Sequence, residues 1–342
     1  MLKKLFKVLI IPLTLIGLFL YMYFSEGLDN VIDMFCSLKY IYFITALLVM
    51  FLSLVAKYAS FAFMRRHYQK GVPYYLTLHT GLMADFWEYL TPTTFVASSI
   101  IHINVMNKQG LSPSKGAVVI LSRQICSVVA FLLLVIVMFG VKIDYFVSNF
   151  TPLLWFFFAL GLFLNLAIMA SYLIVPRFDR TIIRIAFSLV NFLSKLHIIS
   201  EKRKVHLFRK TIDQVHSLKN NVEQLDYKPY EWVVCVLIIL AQDVLLYSVH
   251  YFSSLALGVK LLYSPLTFIA VLSVMEMITS VLPIPGGIGI NDFMFYRMVE
   301  PIVGGAYINF MLLFYRLVTY YFPILLGSFT LPFRIKHEKA QK

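Results

Sequence analysis

The sequence predicts an all-α protein that crosses a membrane about six times and carries two shorter helical hairpins broken by proline. Of its 342 residues, 60% are hydrophobic and only 14% are charged, whereas a soluble protein carries roughly 25% charged residues. The apolar residues form several runs close to the ~20 residues that a membrane-spanning helix needs. Two other apolar stretches are interrupted by Pro or Gly, and we expect each to enter the membrane and turn back.

Full spans are predicted wherever an apolar run is long and uninterrupted. Basic residues flank alternate ends of these runs, at positions 3–7, 65–70 and 334–342, and such residues concentrate on the cytoplasmic side. We therefore expect a multi-pass protein of the cytoplasmic membrane with both termini in the cytoplasm. The first run lacks a small-residue cleavage site, so we interpret it as a retained helix. The six predicted spans are residues 5–24, 40–64, 116–140, 153–175, 232–257 and 306–333.

The first hairpin is predicted over residues 74–105, where Thr91-Pro92-Thr93-Thr94 interrupts the apolar pattern. Each half is shorter than a membrane span. Basic residues precede and follow the segment, so both of its ends are expected on the cytoplasmic side. A segment that begins and ends on one side is predicted to be a re-entrant hairpin.

The second hairpin is predicted over residues 264–303, broken at Pro283–Gly289. Its two prolines remove backbone donors and its three glycines remove side chains, so no regular helix can pass through. Irregular backbone at membrane depth is tolerated only beside protein or a water-filled cavity. A broken helix with ionisable neighbours is typical of a transport site.

The two hairpins are predicted to enter from opposite sides, which indicates an inverted repeat. Residues 1–175 form one membrane half and residues 230–342 the other. Residues are not visibly repeated between the halves, so charge bias and break positions carry this prediction.

Residues 176–229 form a basic segment between the halves, with eleven Lys or Arg against five acidic residues. Its apolar spacing predicts amphipathic helices on the cytoplasmic face. Its charge could follow simply from that location or could attract anionic lipid headgroups. The formal net charge of +13 is concentrated here and at the span ends, which favours a membrane surface over nucleic acid.

Three motifs resemble the lysylphosphatidylglycerol synthase transmembrane family, which includes the flippase portion of multiple peptide resistance factors. Pro283–Asp292 is similar to the family's P-x-P-G-G-x-G-x-x-E, with Asp in place of the usual Glu. Tyr315–Gly327 is similar to its Y-R-x-x-x-Y-x-x-P-x-x-x-G final helix. Leu90–Pro92, followed by a Gly-x-Ser turn and Arg123, resembles its first half. The Gly-Glu and the nearby Arg that the family has directly after this proline are absent here. The resemblance implies this family's membrane fold and a role in lipid transport.

Ionisable groups within apolar segments are costly, roughly 2.5–3.5 kcal/mol each at a helix centre, and so are candidates for function. Arg123 and Arg316 each follow a broken hairpin and could hold a lipid phosphate; alternatively each neutralises an acid of its own hairpin. Glycine N–H groups could bind an anion or simply allow close packing. The candidate substrate-binding residues are Asp85, Glu88, Arg123, Glu276, Gly286, Gly287, Asp292, Arg297 and Arg316.

The acidic candidates leave alternatives open. Asp292 could cap a helix or pair with Arg316 or with a cationic headgroup. Glu276 could pair with a charge or take part in proton-linked transport. Asp85 and Glu88 share a helix face and could attract a cation or be solvated.

The sequence therefore favours a transporter of phospholipids, expected to be anionic, with aminoacylated phosphatidylglycerol as one candidate. No ATP-binding Gly-rich loop is present, and no cofactor, metal site or catalytic group is predicted. The three cysteines show no paired spacing. The alternatives are a membrane-embedded lipid-modifying transferase and a scaffold or regulator of an envelope enzyme. A homo-oligomer and a partnership with an envelope-lipid enzyme both stay open.

Overall fold

The computed structural model describes residues 28–90, 94–174, 227–261, 263–279 and 289–330, with a few positions of the basic segment. Within these ranges every regular element is helical. The predicted first span, most of the basic segment, Gly286 and Gly287 lie outside the described residues. The prediction of an all-α membrane protein is confirmed.

The helices follow the predicted order. Five segments are long and apolar enough to span a membrane, and they match the second to sixth predicted spans. They are Tyr40–Arg65, Pro113–Val141, Pro152–Ala170, Pro229–Ala256 and Gly305–Thr330. The bounds are α1 Leu28–Cys36, α2 Tyr40–Arg65, α3 Tyr74–Leu90, α4 Thr94–Lys108, α5 Pro113–Val141, α6 Ile143–Asn149, α7 Pro152–Ile174, α8 Pro229–Ala256, α9 Pro265–Thr279, α10 Ile290–Val303, α11 Gly305–Arg316 and α12 Phe322–Thr330.

The two predicted hairpins are broken helices. Helices α3 and α4 have 17 and 15 residues, and α9 and α10 have 15 and 14. At about 1.5 Å per residue, each is shorter than the ~30 Å hydrocarbon core of a bilayer. The side from which each hairpin enters the membrane stays a prediction.

The centre of the fold is an antiparallel pair formed by α2 and α8. At one end the Lys39 N–H donates to the Ala256 carbonyl (2.9 Å). At the other, the Tyr227 hydroxyl donates to the Met64 carbonyl (2.8 Å). The start of each helix therefore lies beside the end of the other.

The first helix of each hairpin packs on a helix of the opposite half. Helix α3 lies against α12, and α9 lies against α5. Gly327 makes the first contact possible, because an added Cβ there would lie 2.5 Å from the Leu82 carbonyl oxygen. Gly161 of α7 similarly lies against the backbone of Met277 in α9. Small residues let helix backbones approach closely inside a membrane.

The halves match in register as well as in packing. Tyr58 is the nineteenth residue of α2 and Tyr247 the nineteenth of α8. Asp85 is the twelfth residue of α3 and Glu276 the twelfth of α9. With α2 and α8 antiparallel, this equivalence describes an inverted repeat of α2–α5 and α8–α12.

The last predicted span differs from a single straight helix. Helix α11 ends at Arg316, a π-helical turn occupies Leu317–Tyr321, and α12 begins at Phe322. Pro323 lacks an N–H for the preceding turn, and a π turn is one way in which a helix accommodates such a break. The sequence pattern did not predict two short helices, α1 before α2 and α6 between α5 and α7.

Candidate functional site

Arg316 and Asp292 form an ion pair between α11 and α10. Arg316 Nε donates to Asp292 Oδ1 (2.8 Å), and Nη2 lies 2.6 Å from the same oxygen. Asp292 Oδ2 accepts the N–H of Gly289 (2.9 Å), which precedes α10 with a φ of +90°. Asp292 thus does both of the things that its sequence position suggested: it caps the helix and pairs with Arg316.

Arg123 lies on α5 in a different environment. It is buried (7% exposed), and its Nε donates to Ser60 Oγ of α2 (2.9 Å). Its Nη2 lies 3.4 Å from Gln242 Oε1 of α8, and its guanidinium carbon is 4.2 Å from the Phe61 ring centre. Among the described residues no carboxylate lies within ion-pair distance of it. Neutral groups therefore hold a buried cation.

Asp85 is buried on α3 and contacts two neighbouring side chains of α2. Lys57 Nζ lies 2.8 Å from Oδ1 and 3.0 Å from Oδ2. The Tyr58 hydroxyl also donates to Oδ2. Glu88, one turn further along α3, is half-buried and interacts electrostatically with Tyr58. The predicted pair of acids therefore divides: Asp85 is in an ion pair, while Glu88 lies beside it.

Glu276 occupies the equivalent position on α9. Its Oε2 accepts a hydrogen bond from the Tyr247 hydroxyl of α8 (2.6 Å). One turn earlier on α8, Asp243 is 8% exposed and its Oδ1 accepts from Gln242 Nε2 (3.2 Å). In the described part of the chain neither carboxyl has a Lys or Arg within ion-pair distance. Arg123 is a cation that interacts electrostatically with Asp243.

The membrane-embedded charges thus fall into two classes. Two ion pairs are closed, since each cation has a carboxylate in direct contact. In the described part of the chain, three other groups inside the apolar helices are open, because none has a partner of opposite charge in direct contact. Arg65 is also buried and hydrogen-bonds the neutral Gln69, but it is the last residue of α2 and so lies at the end of a span. The closed pairs are Lys57–Asp85 and Arg316–Asp292, and the open groups are Arg123, Asp243 and Glu276.

The remaining predicted site residues are placed differently. Arg297 is exposed on α10 and lies outside this group of charges. Gly286 and Gly287 lie outside the described residues. The sequence reasoning missed Lys57, although a lysine inside an apolar run was a usable signal. It also missed Gln242 and the two tyrosines, which gave no such signal.

Comparison with known families gives one result. Residues 5–327 match the model of a family described as "Lysylphosphatidylglycerol synthase TM region". The match covers both halves, both hairpins and the intervening basic segment. A comparison with curated proteins found no match.

Proposed function

The chain belongs to the lysylphosphatidylglycerol synthase TM region family, and from that premise we propose that it moves an anionic phospholipid across the cytoplasmic membrane. The lipid phosphate would bind at Arg123, between the two halves. The acyl chains would stay in the bilayer while the headgroup passes along the broken hairpins.

The observation that carries this proposal is the buried, open charge of Arg123. A buried cation without a direct counter-ion is strongly unfavourable, and within apolar segments such groups mark substrate paths. The guanidinium is held at Ser60 and Gln242 by neutral acceptors, which orient it without neutralising it. A guanidinium matches a phosphate in shape and charge and can bind it through two parallel hydrogen bonds.

Arg316 is the weaker candidate for the same role. Asp292 already compensates its charge through one carboxylate oxygen. A phosphate there would have to compete with a carboxylate in contact. We therefore assign Arg316 to holding α10 against α11 at the break of the second hairpin, beside the π turn.

The fold supports alternating access. The first helix of each hairpin packs on a helix of the other half, so movement of one half changes both contacts together. Inverted repeats of this kind operate by rocking of one half against the other around a site near the middle of the membrane.

Transport is favoured over the transferase alternative by the state of the acids. Asp85 and Asp292, two of the carboxylates that could act as a general base, each contact a cation directly. The open cation instead suits the binding of an anion. We therefore propose that the protein is not an enzyme and that membrane phospholipids are its partners.

A reconstituted transport assay tests the proposal. Purified protein in liposomes would be given labelled phosphatidylglycerol, its lysyl derivative or a polyprenyl phosphate, and movement between leaflets followed by quenching from outside. We expect the wild type to move at least one of them and Arg123→Gln to move none. Arg66→Gln is the matched control, since Arg66 is exposed at the end of α2.

Two results would count against the proposal. If correctly inserted wild-type protein moves none of the three lipids, lipid transport of this class is excluded. If Arg123→Gln moves lipid at the wild-type rate, the phosphate does not bind at Arg123.

A further inference from the structure

The inverted repeat contains two tyrosine–carboxyl pairs at matching positions. Tyr58 donates to Asp85 in the first half, and Tyr247 donates to Glu276 in the second. In both cases a tyrosine of α2 or α8 donates to a carboxyl on the first helix of the hairpin that follows. The two pairs can therefore be compared directly.

Besides having Asp in one pair and Glu in the other, they differ in the presence of a cation. Lys57, the eighteenth residue of α2, places its ammonium on both oxygens of Asp85. The eighteenth residue of α8 is Leu246, a partly buried apolar side chain. Glu276 thus has the tyrosine of the first pair without its lysine.

We propose that a proton takes the place of that lysine: Glu276 takes up a proton when an anionic headgroup binds at Arg123, and the two cross the membrane together. The proton comes from water on one side and returns to water on the other, so no bond of the lipid changes. This inference rests on the proposed transport function and names its coupling ion.

Charge balance around the site explains the coupling. The open groups are one cation and two carboxyls, and Arg123 interacts electrostatically with Asp243. Asp243 in turn interacts electrostatically with Glu276. A phosphate on Arg123 would engage the cation, leave Asp243 uncompensated and so add to the negative charge beside Glu276. A buried, uncompensated carboxylate is costly, and a proton removes that cost. By linkage, a proton on Glu276 favours phosphate binding to the same extent.

Among the described residues, the ionisable groups recorded as interacting with Glu276 include no Lys or Arg. Asp243 and Tyr247 of α8 and Tyr315 of α11 interact electrostatically with Glu276. His250 of α8 packs against the Tyr315 ring.

Helix α10 carries Asp292, which is paired with Arg316, and Arg297, which is exposed. Helix α7 has no ionisable side chain between Pro152 and Ala170, and α5, which packs against α9, carries Arg123.

The first test imposes a pH gradient on the liposomes, with membrane voltage clamped by potassium and valinomycin. For one proton per lipid, each pH unit corresponds to about 1.4 kcal/mol, an approximately tenfold change in the lipid distribution. We expect wild type to show this shift and Glu276→Gln to move lipid without it. Glu276→Asp should restore a pH response, which a merely structural role would not require.

The control removes the closed pair as a unit. Lys57→Met combined with Asp85→Asn removes both partners of the closed pair and leaves neither charge unpaired, and any remaining transport should keep its response to the gradient. The proton inference is overturned, with lipid transport intact, if wild-type transport ignores the gradient. It is also overturned if Glu276→Gln responds as wild type does.

A second readout does not depend on transport. Infrared difference spectra of the reconstituted protein, recorded on adding short-chain phosphatidylglycerol, should show a protonated carboxyl band that Glu276→Gln lacks and Glu276→Asp shifts. If wild type and Glu276→Gln give the same spectrum, Glu276 takes up no proton. This result stands even if no lipid movement is detected, so the two proposals can fail separately.

Discussion

Ser53 and Gln242 are the fourteenth residues of α2 and α8, and Ser53 Oγ donates to the Gln242 carbonyl oxygen (3.0 Å). Residues at equivalent positions of an inverted repeat meet only near the axis that relates its halves. The axis therefore passes close to this hydrogen bond. Because the Gln242 side chain also accepts from Arg123, the candidate phosphate site lies near that axis, where repeat transporters hold their substrates.

The first prediction concerns the closed pair of the second half. Asp292→Asn leaves the Arg316 guanidinium without its carboxylate, whereas Asp292→Asn with Arg316→Gln removes both charges. We expect the double variant to be less destabilised than the sum of the single variants, with an interaction energy of about 1–3 kcal/mol. Thermal unfolding in detergent of wild type, Asp292→Asn, Arg316→Gln and the double variant measures this interaction energy. Additive effects would show that the pair contributes nothing to folding.

The second prediction uses the equivalence of Asp85 and Glu276. Asp85→Asn removes the counter-ion of a partly buried lysine, while Glu276→Gln removes a carboxyl that has no cation in contact. We therefore expect Asp85→Asn to lower the unfolding temperature clearly and Glu276→Gln to change it little. The two proteins are matched in chemistry and register, so a single melting experiment compares them. Equal losses would mean that both carboxyls are equally compensated.

Much of this fold could be predicted from the sequence, because membrane helices are recognised by their length and apolar content. The breaks at Pro92 and at Pro283–Gly289 also follow from residue chemistry alone. The end of α11 at Arg316 was harder to predict, although Pro323 explains the π-helical turn that follows it. These features are local, and local features can be read from a single sequence.

The site could be predicted only in part, because it depends on contacts between distant segments. The pairing of Arg316 with Asp292 stayed one alternative among several until the helices were placed. Lys57 stood out as a lysine inside an apolar run, but its pairing with Asp85 depends on the packing of α2 against α3. The equivalence of Tyr58 and Tyr247 requires the register of two antiparallel helices, which residue similarity between the halves does not reveal.

The third prediction concerns the contact between α12 and α3. A methyl group at Gly327 would lie 2.5 Å from the Leu82 carbonyl oxygen and 2.8 Å from Phe86 Cβ. Gly327→Ala should therefore force these helices apart and cost about 1–3 kcal/mol of stability. Gly140→Ala in α5 is the control, because nothing lies within 4 Å of its added Cβ and Ala is the better helix former.

Thermal unfolding of the two alanine variants measures the difference. We expect the Gly327 variant alone to unfold at a lower temperature than wild type. If both variants melt like wild type, α12 and α3 are not in close contact.

The fourth prediction tests the charge state of Glu276 through stability alone. Tyr58→Phe removes a hydrogen bond to a carboxylate that also contacts Lys57, and bonds to charged groups contribute about 1.5–3 kcal/mol. Tyr247→Phe removes a bond to a carboxyl that we propose to be protonated when the site is occupied. Bonds between neutral groups contribute about 0.5–1.5 kcal/mol. With short-chain phosphatidylglycerol present, Tyr58→Phe should therefore be the more destabilised of the two proteins. Chemical unfolding of both variants with and without the lipid measures this, and a larger loss for Tyr247→Phe in its presence would show that Glu276 stays ionised.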